Sequence, residues 1–465
     1  MVKVDPSLYR KFVRKDRKGN SILYVQLYKS LYGLMRSALL FYRKLRKELE
    51  EYGNDFVINP YDACVANMTT DAGDQLTVLW HVDDLKISCK DDFEITKLLC
   101  YLRSIYGNKI VAHQGKKHDY LGMDLDWSEP GIFKVSMIPY IDTIHQDFPE
   151  VITTSAPSPH TDNLFKVRDE DEAVYLPEKQ AVMFHHTVAQ LLFLSSRARR
   201  DIQTAVSFLT TRVKKPDEDD WGKVKRVLKY LKGTRSLPLR LSVDNLSSSK
   251  WLVDVSHKFH WDCKGQTGAG MTLGEGATSS FSWKQKVNTK SSTESELVGV
   301  DDAMPQILWS LYFIRAQGYN MTHALVYQDN KSAILLEVNG KMSSSKRTKH
   351  IKAKYFFVTD KVAQGDVVIE HKSTNDMWID SHTKPKQGTP FRLDRSYVMN
   401  CPLIIPDETL NAPIKAISNS KPMAEQRLQE CVGSPRKLKS VPTPIYQRKL
   451  AAVASALYRS ASRLI

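Results

Sequence analysis

A chain of 465 residues exceeds what one hydrophobic core supports, since single cores rarely grow past about 250–300 residues, so more than one domain is expected. Hydrophobic residues make up 42% and charged residues 26%, which excludes disorder as the main state, and no apolar run approaches the roughly 18 residues of a membrane-spanning helix. The formal charge of +15 points to a polyanionic partner, nucleic acid first and an anionic membrane second, because clustered Lys and Arg release counterions from phosphates, and no membrane partner is expected. Cys64, Cys89, Cys100, Cys263, Cys401 and Cys431 contain no Cys-x-x-Cys and are too sparse for a disulfide scaffold. With no signal-peptide core after Met1, an intracellular protein is expected.

Residues 1–50 hold thirteen Lys or Arg against four acids, interleaved with Tyr9, Phe12, Tyr24, Tyr28, Tyr32, Phe41 and Tyr42. Cations grip phosphates and rings stack on bases, so this stretch reads as a nucleic-acid surface ahead of a plain solvated face. Leu39, Leu40, Leu45 and Leu49 recur at roughly helical spacing and Gly53 is suited to stop the helix, which predicts a helix over 36–52. Apolar runs at 76–80 and 85–88 flank Asp83 and Asp84 and predict a β-hairpin with both acids at its tip. Adjacent carboxylates there are either ligands for a hard cation such as Mg²⁺ or an ordinary solvated turn, and the dipeptide alone favours the turn.

Ser, Thr, Pro and Asp dominate 151–171, including Ser155-Ala156-Pro157-Ser158-Pro159, which reads as a linker with a boundary near residue 155. Helices follow over 183–194, 202–209 and 221–231, the last exposing Lys223, Lys225, Arg226 and Lys229. From Trp251 the pattern predicts a strand at 251–255, two strands at 269–273 and 279–283 joined at Gly274-Glu275-Gly276, and a helix at 294–317 that Pro305 should kink and shorten. A strand at 324–328, helices at 331–338 and 352–364, a strand at 367–371 and a helical turn near Met377 complete a mixed sheet covered by helices. The basic tail beyond residue 402, with a final helix at 444–464, reads as a nonspecific nucleic-acid contact or a solubilising segment.

Four acids in this last sheet come from four separate elements. Asp254 lies within a strand between Val253 and Val255, where a carboxylate is expensive to bury without compensation. Asp329 ends a later strand, where α/β sheets commonly gather ligands. Glu296 opens a helix, with Glu294 as its competitor, and Asp380 follows Trp378-Ile379. Each acid alone reads as a solvated carboxylate; together they can converge on one metal site. His257, His260 and Cys263 suggest zinc only weakly, because no fourth partner lies near in sequence.

The motifs in order resemble those of copia-type LTR retrotransposon polyproteins. Leu27-Tyr28-Lys29-Ser30-Leu31-Tyr32-Gly33-Leu34, Asp62-Ala63-Cys64-Val65, His81-Val82-Asp83-Asp84-Leu85 and Tyr120-Leu121-Gly122-Met123 are similar to the family's reverse transcriptase. Arg200-Asp201-Ile202 and Arg226-Val227-Leu228-Lys229-Tyr230-Leu231-Lys232-Gly233-Thr234 are similar to its thumb-to-connection segment. Val253-Asp254-Val255-Ser256, Ser292-Thr293-Glu294-Ser295-Glu296-Leu297, Tyr327-Gln328-Asp329-Asn330, Lys346-Arg347-Thr348-Lys349-His350-Ile351 and Asp380-Ser381-His382-Thr383-Lys384-Pro385 are similar to its ribonuclease H domain.

The fold class this implies is α/β (α+β): a truncated reverse-transcriptase palm with a helical thumb and connection, then a ribonuclease H-like mixed five-stranded sheet with flanking helices. Its expected domains are a partial palm at 1–150, thumb and connection helices with the linker at 151–245, the ribonuclease H-like domain at 246–390 and a basic tail at 391–465.

The resemblance further implies hydrolysis of the RNA strand of RNA–DNA hybrids by two Mg²⁺ ions held by Asp254, Glu296, Asp329 and Asp380. Glu296 is preferred to Glu294 because it precedes the anchoring Leu297 and occupies the family's ligand position. Lys346, Arg347, Lys349 and His350 would bind backbone phosphates, and His81, where the family usually carries an aromatic, would lie flat against a primer strand. Asp83 and Asp84 would be ligands of a polymerase site for template RNA or DNA. That site is expected to be incomplete, and polymerase activity lost, because the family's third metal-binding Asp and its fingers would precede Lys3. The alternative is an inactive element remnant that only binds nucleic acid.

Overall fold

The computed structural model describes residues 12–23, 35–53, 56–340 and 356–405. The chain forms two compact units, Met1–Phe56 with His81–Asp83, and Val57–Trp80 with Asp84–Ile465. In the first, strands Val13–Lys15 and Ser21–Leu23 pair antiparallel. Asp16 closes their turn by accepting from the Lys18 and Asn20 backbone N–H groups, both at 2.8 Å, the local bond that makes Asp a turn residue. Helix Met35–Glu51 follows, and its i,i+4 pairs Arg46 with Glu50 and Lys47 with Glu51 lie in solvent. The buried stripe passes through Leu45 and Leu49, whereas Leu39 and Leu40 are exposed. Residues 39 and 40 fall off the face that i, i+4 spacing builds from Leu45 and Leu49.

The second unit opens with a sheet of four strands, Val57–Asn59, Asp62–Thr69, Gln75–His81 and Asp84–Ser88, neighbouring in chain order. Helix Asp92–Tyr106 follows, started by Asp91, whose side chain accepts from the Phe93 N–H at 2.9 Å. A second four-stranded sheet takes Leu239–Leu241 beside Phe133–Ser136, Met123–Asp126 and Lys117–Tyr120. Helices Glu178–Arg197, Gln203–Thr210 and Glu218–Gly233 fall where the periodicity puts them.

Two expectations are corrected here. The Ser/Pro-rich stretch after residue 151 is packed rather than loose: Ile152, Ala156, Ser158, His160, Leu164 and Phe165 are buried, and the Ala156 N–H donates to the Lys229 carbonyl at 3.2 Å. Three of the cations expected to be exposed on helix Glu218–Gly233 are half-buried and engaged, with Lys223 on Asp219, Lys225 on Glu150 and Arg226 on Ser158. Long stems covering apolar surface while their heads find partners explain why a basic face is not an open one.

The third sheet is mixed, as expected. Antiparallel strands Ser248–Ser256, Gln266–Thr272 and Ser279–Lys284 are joined by parallel strands His323–Gln328 and Val367–His371, and Ser248–Ser256 is central. Helix Ser292–Ala316 lies close on that strand, since a Cβ at Gly299 would meet Val255 Cγ2 at 2.4 Å. The helix runs through Pro305 without ending, so the shortening expected there does not occur.

A buried ion pair ties the helices together. Arg199 Nε and Nη2 donate to Asp201 at 3.0 and 2.8 Å, Arg199 Nη1 donates to the Thr234 carbonyl at 2.9 Å, and Tyr230 Oη donates to Asp201 Oδ2 at 2.5 Å. Burial opposes the charge on Asp201, but Arg199 and Tyr230 outweigh it and hold its carboxyl below the usual range. Removing one partner strands the other's charge, so Asp201→Ala should cost about 3–5 kcal/mol in urea unfolding. A loss under about 1 kcal/mol would show that the pair is dispensable.

Candidate metal centre

The central strand and its parallel neighbour set the first two acids side by side. Their last registered pair is Leu252 with Tyr327, and two residues further along each strand stand Asp254 and Asp329. The third comes from helix Ser292–Ala316, whose start is fixed by Ser291: its Oγ accepts from the Glu294 N–H at 3.2 Å. Glu294 Oε2 turns back to accept from the Lys290 N–H at 2.8 Å, while Glu296 is buried on the sheet side. Carboxylate oxygens of Asp254, Glu296 and Asp329 all lie within 4.8 Å of one another. Among the described residues no other trio of His, Cys, Asp and Glu converges in this way.

Asp380 stands next to this trio but outside it. It sits in the 3-10 helix Trp378–His382, where Lys386 Nζ approaches Oδ2 at 2.7 Å and Lys384 pairs with Oδ1. The link back to the trio runs through the following residues: Thr383 Oγ1 donates to Asp254 Oδ2 at 2.5 Å, and Lys384 Nζ lies 4.0 Å from the same oxygen. Two glycines let the short helix approach the sheet. A Cβ at Gly268, opposite Asp254, would come within 2.8 Å of Thr383 Cγ2, and one at Gly270 within 2.6 Å of the Trp378 ring.

Burial and mutual repulsion shape the acidities. Burial raises Asp254 to about 7, with Lys384 opposing the rise and Asp380 and Asp329 adding to it. Glu296 is pushed well above the usual range by burial, then by Asp254, Asp329 and Glu337. At Asp380 burial is outweighed by Lys384 and Lys386, which hold its carboxyl low. Buried, crowded acids favour protonation until a cation compensates them. The donors are all carboxylate oxygens, the set a hard divalent ion takes, so the residues fit the Mg²⁺ that the motifs imply.

Several contributors escaped the sequence reading. Lys384 follows Asp380 within its own motif and Lys386 stands one residue beyond it, and their i+4 and i+6 spacing was the available signal. Gln328 Nε2 lies 3.5 Å from Glu296 Oε2. Glu337 is fully buried in helix Lys331–Asn339, with neither carboxylate oxygen hydrogen-bonded among the described residues. Its burial raises its pKa to about 8, opposed by Gln328. A lone acid after Ala333, Ile334, Leu335 and Leu336 was the sign.

The remaining candidates lie elsewhere. Asp83 and Asp84 are exposed at the hairpin tip, as is His81, and Val82, between His81 and Asp83, adopts φ 55°. Lys346, Arg347, Lys349 and His350 lie outside the described residues. His257 Nδ1 is engaged by Ser295 Oγ at 2.7 Å and His260 Nε2 by Gln266 Oε1 at 2.7 Å, while Cys263 is exposed, so the zinc reading gains nothing.

No family model matches the sequence. The chain is 25% identical over 389 residues to the Retrovirus-related Pol polyprotein from transposon TNT 1-94 of Nicotiana tabacum, covering 82% of this chain and 28% of that protein. It is 28% identical over 394 residues to the corresponding polyprotein from transposon RE1 of Arabidopsis thaliana, covering 82% and 25%. The chain thus spans about a quarter of the length of the curated relatives it matches. Among solved structures, the foamy viral protease-reverse transcriptase in complex with RNA/DNA hybrid is similar at 12% identity and a TM-score of 0.45, over 78% of this chain and 41% of that one. The chain is a homologue of retrovirus-related Pol polyproteins. Its relatives within that class are those of copia-type plant transposons, in accord with the motifs. Among the described residues no helix is long and apolar enough to cross a membrane.

Glu337 gives a pH signature. Its folded pKa of about 8 lies above the roughly 4.3 of an unfolded glutamate, so the folded state holds the extra proton and stability falls as pH rises through that window. Glu337→Gln should remove this decline, gaining on the parent by on the order of 3 kcal/mol between pH 5 and 8 in urea titrations. An equal gap at both pH values would assign the buried proton to another group.

Proposed function

We propose that the chain hydrolyses the RNA strand of RNA–DNA hybrids as a ribonuclease H, using Mg²⁺ held by Asp254, Glu296 and Asp329 with Asp380 completing the set. The observation that carries this reading is the convergence of three carboxylates, from two strands and a helix, within 4.8 Å. The reaction class is that which the motif resemblance implies, and the similarity to Pol polyproteins supports it. A charge of +15 favours a polyanionic substrate.

The chain's own residues do three things. Asp254 and Glu296, both buried, are fixed by the sheet and by the capped helix, so their oxygens need little reorganisation on binding a cation. Thr383 orients Asp254 by donating to Oδ2, which leaves its other oxygen for a ligand. Lys384 and Lys386 neutralise Asp380 in the cation-free centre, and Asp380 would complete the ligand set in place of those contacts. When bound, two Mg²⁺ ions supply an activated water and charge stabilisation at the leaving 3′ oxygen. Lys346, Arg347, Lys349 and His350 are proposed to hold backbone phosphates without reading sequence. Asp83 and Asp84 have no part in this step, because no third acid is grouped with them among the described residues.

The test follows Mg²⁺-dependent cleavage of a labelled RNA–DNA hybrid by the full chain beside Asp254→Asn and Glu296→Gln. A metal clamp supplies several kcal/mol to the transition state, so each variant should lose at least about a hundredfold in rate. Tight hybrid binding with no cleavage by the folded, unaltered chain would replace this reading with that of a nucleic-acid-binding remnant.

A further inference from the structure

The short helix that carries Asp380 is held by two parts of the chain. On the sheet side, Ser282 Oγ donates to the His382 carbonyl at 2.6 Å and Ser256 Oγ to the Thr383 carbonyl at 2.9 Å, with Gly268 and Gly270 leaving no room for a side chain between. Further contacts come from a helix far earlier in the chain. Thr204 Oγ1 donates to the Ser381 carbonyl at 2.6 Å, and Gln203 Oε1 lies 3.0 Å from His382 Nε2. A carboxamide oxygen only accepts, so His382 Nε2 donates. Gln203 is itself locked: its Nε2 donates to the Ser280 carbonyl at 2.8 Å and its Oε1 accepts from Ser280 Oγ at 2.6 Å. All these side chains are buried, where a polar group left without its partner is costly and the geometry is therefore strongly specified.

We propose that helix Gln203–Thr210 is part of the frame of the metal centre, with Gln203 and Thr204 acting as positioning residues for Asp380 through His382 and Ser381. This rests on reading Asp380 as a metal-binding acid. Segments about 175 residues apart in sequence meet here, so the helices preceding the mixed sheet are not a separable attachment to it. Polar side chains outside the ligand set that orient it commonly change metal affinity by roughly 10- to 100-fold.

Full-length Thr204→Val removes the contact to Ser381, Gln203→Met removes the contact to His382 together with both contacts to Ser280, and Thr204→Ser keeps the hydroxyl. Gln203→Met preserves side-chain volume and tests the frame even where Thr204→Val folds poorly. Backbone hydrogen exchange in the metal-free chain should rise roughly tenfold at residues 379–384 in both variants while strand Ser248–Ser256 is unchanged. Mn²⁺ affinity by calorimetry should fall roughly tenfold in the same variants and return in Thr204→Ser. Unchanged exchange at 379–384, or an equal rise across the whole five-stranded sheet, would overturn the proposal, the second because it marks a merely structural contact. An unaltered chain that takes up no Mn²⁺ would count against the metal reading itself, whereas the exchange experiment needs no metal and decides the frame on its own.

Discussion

Bringing like charges together out of water is the constraint around which the mixed sheet is built. Asp254 and Glu296 are almost fully enclosed, with Asp329 half-buried beside them, and the protein medium strengthens their repulsion as it weakens their hydration. Only a stiff frame can hold such a set. The parallel pairing of strands Ser248–Ser256 and His323–Gln328 fixes two of the acids, and the close seat of helix Ser292–Ala316 at Gly299 fixes the third. Partial compensation comes from Lys384, the one cation that reaches both Asp254 and Asp380 among the described residues. A centre of this kind relieves its repulsion by taking up protons, or by accepting a cation in their place.

What could be read from the sequence was what depends on local spacing. Asp254 within an apolar strand, Asp329 at a strand end and Glu296 near a helix start were legible because each element announces its own period and its own cap. The mixed five-stranded sheet followed from the order of those elements, and the structure has it. Glu296 was preferred to Glu294 for the Leu297 that follows it and for its place in the motif; the structure adds the reason that Glu294 is engaged at the helix start by the Lys290 N–H.

What could not be read depends on contacts between distant segments. Ser155, Pro157 and Pro159 have linker composition, yet the stretch around them is pinned by helix Glu218–Gly233, and composition records backbone preference rather than what packs on it. Pro305 carries a kink signal, but the helix continues because burial along most of its length outweighs one lost backbone bond. Lys384 and the hydroxyl of Thr383 sit inside a recognised motif and Lys386 just beyond it, and only the fold shows that they aim inward. Helix Gln203–Thr210 gave no hint of serving Asp380, since nothing in its own sequence names its partner.

Burial also separates the two acidic motifs that the sequence offered. Asp83 and Asp84 lie exposed at a hairpin tip, where water already stabilises both charges and a neighbouring carboxylate costs little. Such a pair binds a divalent ion only as strongly as its geometry and further ligands allow. Asp254, Glu296 and Asp329 have already lost much of that hydration in folding, so an entering cation recovers free energy that the metal-free state lacks. The second set is therefore the one whose chemistry is written into the fold itself, while the first, on its own, remains compatible with a solvated turn.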